Sequence, residues 1–185
     1  MAADGCETVP LVWTALRAAL MVPWLCWLCA SDLRRRILPN VATFGGLCVG
    51  LCVQAGFRGL PGLADGLLAA LAAGGVFLVP FLVGAAGAGD LKMAAAAAAF
   101  LGLKETPFFL VASSAAGLVV MVAMIAAKQA SPVRLRHFFR CAFDWRYDRA
   151  AGRAALPPKD DESGRIPYGL ALAAGAAATL ALEVA

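Results

Sequence analysis

Six long apolar runs, set apart by short polar stretches, constrain this chain more than any other feature. They are Val9–Ala30, Val41–Phe57, Leu63–Gly84, Leu91–Leu103, Pro107–Ala127 and Ile166–Glu183. A helix needs about 20 apolar residues to cross the hydrocarbon core of a bilayer. Inside that core every backbone N–H and C=O must find its partner within the protein, so such runs are expected to be helical. Charged residues are only 15% of the chain, where a soluble domain carries about 25%. The expected fold is therefore all-α, a single polytopic membrane domain over residues 1–185 with about six transmembrane helices. The second run is somewhat short. The fourth is too short to span unless Gly84–Asp90 also enters the membrane, and irregular backbone is tolerated there only against protein or a wet cavity.

Basic residues fix the expected orientation. Thirteen of the sixteen Lys and Arg fall after the first, third and fifth runs: Arg34–Arg36, Lys92, and nine between Lys128 and Arg165. The opposite face has only Arg58 and Lys104, and Arg17 lies within the first run. The positive-inside rule makes the first face cytoplasmic and puts both termini outside. Asp32, Asp90 and Pro167-Tyr168-Gly169 then share the cytoplasmic face.

Residues 128–165 form the one sizeable extramembrane stretch. Ser131-Pro132 reads as a helix start. Leu135, Phe138, Phe139, Ala142 and Phe143 fall on one side of a helical projection, and Arg136, His137, Arg140 and Asp144 on the other, as in a helix lying on the leaflet. Pro157–Gly164 reads as a polar linker. The acidic N-terminus, with Asp4 and Glu7, lacks the basic region of a cleavable signal, so the first run is expected to remain attached. Cys26 and Cys29 have C-x-x-C spacing, but no second pair or histidine cluster completes a metal shell. All six cysteines, Cys6, Cys26, Cys29, Cys48, Cys52 and Cys141, are read as small apolar residues packing between helices.

Two carboxylates stand at the ends of apolar runs, Asp32 in Ser31–Asn40 and Asp90 in Gly84–Lys92. Carboxylates at membrane boundaries are costly to desolvate, which makes them functional candidates. Taken singly, Asp32 also fits a helix end neutralised by Arg34–Arg36, and Asp90 a helix N-cap after a glycine turn. Together they offer the pair that peptide hydrolysis needs, one ionised to take a proton from water and one protonated to polarise the carbonyl. His137 is the only histidine, H-E-x-x-H and the P-loop ending are absent, and the glycines before Asp90 lack dinucleotide-site spacing. Asp65 lies near the outer interface with no accompanying motif. Gly87 and Gly89 fit a tight, backbone-exposing turn beside Asp90. Lys92 either raises the local positive potential or snorkels to the headgroups, and Asn40 reads as the N-cap of the second helix.

The same patches resemble the prepilin peptidases, the membrane aspartic peptidases of type IV pilus and related secretion systems. Asp32 with Leu38, Pro39 and Asn40 is similar to the family's first motif. Gly87, Gly89, Asp90 and Lys92, followed by Ala94–Ala99, Leu101 and Gly102, are similar to its Gly-x-Gly-Asp-x-Lys motif. Pro167, Tyr168 and Gly169 are similar to a third patch before the last helix. The resemblance implies Asp32 and Asp90 as the catalytic pair, no metal or organic cofactor, and prepilins cut between a short basic leader and an apolar helix. It implies a multi-pass protein of the bacterial inner membrane with its site facing the cytoplasm. Partners would be prepilins, the lipid bilayer and the pilus-assembly machinery, with no nucleic acid. The short length looks most like the Flp/Tad-pilus branch, without the N-terminal paired C-x-x-C domain that long members link to methylation. Two rivals are a transporter or channel subunit using both aspartates as ion sites, which would call for internal repeats, and a presenilin-like intramembrane protease. The latter shares Gly-x-Gly-Asp but places its other aspartate after tyrosine, where this chain has Ser31.

Overall fold

The computed structural model describes residues 4–35, 39–83, 86–127 and 168–184, together with Arg140, Asp144 and Asp148. The expected leaflet helix, the Pro157–Gly164 linker and Pro167 lie outside the described residues, apart from those three. Five helices make up the rest: α1 (Asp4–Arg35), α2 (Asn40–Val83), α3 (Ala88–Leu101), α4 (Thr106–Ala126) and α5 (Tyr168–Val184). No strand occurs among the described residues, and the all-α expectation holds.

Helix α2 takes in the second and third apolar runs as one element, but it is not straight. Gly59 has φ 64 and ψ −149, backbone space essentially open to glycine alone. The chain doubles back there. Gly62 lies against the carbonyl of Gln54, and Gly66 approaches the Leu51 side chain, contacts a continuous helix would hold about 12 and 22 Å apart. Pro61 is tolerated here because it lacks an N–H, and an N–H in the first turn of a new helix would have no intrahelical partner in any case. Six helical rods result among the described residues.

Among the described residues three helices are long and apolar enough to cross a membrane: Val12–Arg34, Asn40–Leu82 and Thr106–Ala126. The second covers 43 residues, about twice what one crossing needs, in keeping with the fold at Gly59. Large apolar side chains such as Val12, Leu71, Leu82, Val111 and Val119 are more than half exposed. Water would not tolerate that much apolar surface, whereas lipid would.

Helix α3 occupies the interior. Met93, Ala94 and Ala96–Leu101 are all buried, and small residues let its neighbours come close. Gly50 of α2 lies against the Phe100 backbone, and Gly66 against the Ala99 carbonyl. Phe100 packs on Trp24 of α1 with ring centroids 5.7 Å apart. Helices α4 and α5 meet through glycines, Gly117 beneath the Tyr168 ring and Gly175 against Ser113. Helix α3 has 14 residues, roughly 21 Å of rise. It ends at Gly102, where φ is 92 and an added Cβ would stand 2.6 Å from the Asp65 carboxylate.

Candidate active site

Asp32 lies in the last turns of α1, and despite exposed neighbours Leu33 and Arg34 its own side chain is buried. Its Oδ2 accepts the backbone N–H of Gly169 at 3.0 Å, a contact that joins α1 to the first turn of α5. A Cβ on Gly169 would stand 2.7 Å from that oxygen. Glycine is therefore what lets the α5 backbone approach the carboxylate.

Asp90 is the third residue of α3, and Gly87, not Asp90, is the helix's N-cap. The Asp90 carboxylate reaches back to accept the Gly87 N–H at 2.9 Å. This is the side-chain-to-cap half of a capping box, and it places an anion at the positive end of the α3 dipole. Gly87 has φ −83 and ψ 155, extended backbone that any residue adopts, and Gly89 is helical. The tight glycine turn expected beside Asp90 is thus not needed for conformational freedom. What Gly87 provides is clearance, since an added Cβ would come 3.2 Å from Asp90 Oδ2.

The two carboxylates come from different helices to one end of the bundle, where the charge of Asp32 acts on Asp90. Asp90 in turn acts on Tyr168, whose ring meets Phe77 edge-on at 5.7 Å. Gly169 therefore joins the site through Asp32, and Tyr168 precedes it at the start of α5.

Pro39 has a structural part, and Asn40 a different one from the N-cap expected of it. The Pro39 carbonyl accepts the N–H groups of Ala42 and Thr43, both at 3.1 Å, and so opens α2. The Asn40 side chain does not cap the helix. Its Oδ1 accepts the Lys92 ammonium at 2.8 Å, and that ammonium also lies 5.3 Å above the Phe44 ring. Lys92, the fifth residue of α3, thus ties that helix to the start of α2.

Cysteine packing also needs correction. Cys26, Cys48 and Cys52 are exposed, not packed between helices. Cys29 is half-buried, and its thiol donates to the Gly169 carbonyl at 3.4 Å. Asp32 and Cys29, three residues apart on one face of α1, hold both sides of the same α5 residue. That spacing was readable in the sequence; the partner was not. Among the described residues no group of three or more His, Cys, Asp or Glu is placed to hold a metal.

A family model described as the type IV leader peptidase family matches residues 19–122, more than half of the chain. The chain belongs to that family. No curated protein and no solved structure matches it significantly. Membership makes the chain a peptidase in general terms, and the matched stretch takes in Asp32, Asn40, Gly87, Asp90 and Lys92. Tyr168 and Gly169 lie beyond it, and the contact of Gly169 with Asp32 is given by the fold.

Proposed function

We propose that this member of the family is an aspartic endopeptidase whose catalytic pair is Asp32 and Asp90. It removes the short basic leader of prepilins at the cytoplasmic face of the bacterial inner membrane, as in the Flp/Tad branch. The observation that carries the reading is that the two carboxylates, 58 positions apart in sequence, lie at the same end of an apolar helical bundle, Asp32 held by Gly169 N–H and Asp90 by Gly87 N–H.

Two interacting carboxyls do not both ionise cheaply, so the pair holds one proton between them. The ionised member takes a proton from water as the water oxygen adds to the scissile carbonyl carbon. The protonated member donates to the carbonyl oxygen. Collapse of the tetrahedral species returns that proton, breaks the C–N bond and protonates the leaving amine. Gly169 N–H fixes Asp32 and Gly87 N–H fixes Asp90, so neither carboxylate is left to find its geometry during the reaction.

The basic bias of the segments flanking this end supports a cytoplasmic position. A prepilin's own apolar helix would then set the depth at which its leader junction meets the pair. Co-expression with a candidate prepilin, read by the electrophoretic shift on leader removal, tests the proposal. Processing should require the intact protein and disappear with Asp32→Asn or Asp90→Asn. Full processing by either variant would remove the assignment.

A further inference from the structure

A second cluster lies at the opposite end of the bundle. Arg17 of α1 is 3% exposed, and its guanidinium pairs with Glu183 of α5. The same group donates to the Leu101 carbonyl of α3 at 2.9 Å and reaches the Phe100 carbonyl at 3.5 Å. Trp13 lies 5.4 Å below it. Helix α3 stops inside the protein, so its last carbonyls need donors. Gln54 Nε2 supplies one to Phe100 at 3.1 Å, and Arg17 supplies the other while placing a cation at the negative end of the α3 dipole.

The three helices joined there, α1, α3 and α5, are the ones that carry Asp32, Asp90 and Gly169 at their other ends. From Arg17 to Asp32 is about 22 Å of helix, from Leu101 to Asp90 about 16 Å, and from Glu183 to Gly169 about 21 Å. Helices are stiff along their axes. A fixed point at one end therefore sets the axial register at the other.

Resting on the peptidase reading, we propose that Arg17 and Glu183 are positioning residues which hold α1, α3 and α5 in the register that brings Asp32 and Asp90 level. A guanidinium suits this role because its planar fork serves a carboxylate and a carbonyl at once, which an ammonium does with less geometric control.

The test uses full-length protein in which Cys29 is the only cysteine, since the Cys29 thiol bridges α1 to Gly169 and reports register without any need for activity. Arg17→Met keeps bulk and removes the fork. It should lower kcat on a prepilin about tenfold or more, leave KM within about twofold, and speed maleimide alkylation of Cys29 several-fold. Arg17→Lys should recover part of both losses. Phe109→Ala, a core truncation in α4 that removes none of the polar contacts of either cluster, should lower thermal stability without the kcat or alkylation signature. Should Arg17→Met fail to accumulate in membranes, Glu183→Gln carries the same readouts with the Leu101 contact intact. Unchanged kcat and unchanged Cys29 reactivity in whichever variant accumulates would overturn the clamp. If the unaltered protein cleaves no prepilin, the peptidase reading fails, and the Cys29 rates still decide whether Arg17 sets the register.

Discussion

Gly169→Ala should disable the site without dismantling the fold. An added Cβ would stand 2.7 Å from Asp32 Oδ2, 3.2 Å from its Cγ and 3.3 Å from its Cβ. Ordinary contact begins near 3.4 Å, so the carboxylate must withdraw by roughly 0.7 Å. A withdrawal of that size stretches the 3.0 Å bond from Gly169 N–H beyond the normal range. A hydrogen bond to a charged group is worth about 1.5–3 kcal/mol, and a misplacement near 1 Å can cost about a hundredfold in rate. Both routes give a loss in kcat of roughly 10- to 100-fold. Helix propensity pulls the other way, because alanine favours the first turn of α5 over glycine by about 0.5–1 kcal/mol. The variant should therefore accumulate normally. Purified protein in lipid vesicles, titrated with prepilin and followed by leader release, gives kcat and KM. Gly45→Ala is the control, since nothing lies within 4 Å of its Cβ position, and it should cleave normally. Cleavage by Gly169→Ala within about twofold of the parent would refute the argument that Asp32 acts from the position Gly169 assigns.

If Asp32 and Asp90 share one proton, the double variant Asp32→Asn/Asp90→Asn should lose no more activity than either single one, because residues acting as a unit are strongly non-additive. Asp65→Asn, whose carboxylate serves Leu103 N–H and Arg58 at the far end of α3, should stay active, and multiplicative losses in the double variant would argue against a shared proton. Among the cysteines, replacing Cys6, Cys26, Cys48, Cys52 and Cys141 together should leave cleavage intact. Cys29→Ala should lower it a few-fold and Cys29→Ser should largely preserve it, as expected where a weak S–H donor is replaced by an O–H donor; equal rates in the parent and both variants would remove Cys29 from the site.

The helices were legible in the sequence because each apolar run had to satisfy its own backbone. Their bounds moved only a few residues, and the one merged element, α2, divides at Gly59 where the second and third runs were expected to part. Asp32 and Asp90 were legible because a carboxylate ending an apolar run has a cost that invites explanation. What could not be read were the partners across helices. Nothing local to Cys29 announces that its thiol meets Gly169, and nothing local to Asn40 distinguishes an N-cap from an acceptor for Lys92. In the sequence Arg17 is only a lone charge within the first apolar run. Its meaning depends on where α3 stops and on Glu183, 166 residues away.

The length of α3 bears on how a bilayer protein brings water to a peptide bond. With 14 residues it spans about 21 Å against a hydrocarbon core of about 30 Å, so both of its ends cannot reach the two boundaries. Its C-terminal end is pinned by Arg17, Gln54 and Asp65, beside the exposed ion-pair partners Arg58 and Lys104. Those charges anchor that end at its boundary. The deficit would then fall at the other end, with Asp90 inside the opposite boundary by several ångströms. Ala86 and Gly87 just before α3 are non-helical, and irregular backbone at such depth requires protein cover or a wet cavity. A spin label at exposed Ala88 should therefore read about 5–10 Å inside the bilayer boundary by oxygen-versus-chelate accessibility, deeper than one at Arg34 at the end of α1. A label at Leu103 should read at the opposite boundary. Equal aqueous exposure at Ala88 and Arg34 would mean that α3 is not recessed, and that water reaches the aspartates from the open surface.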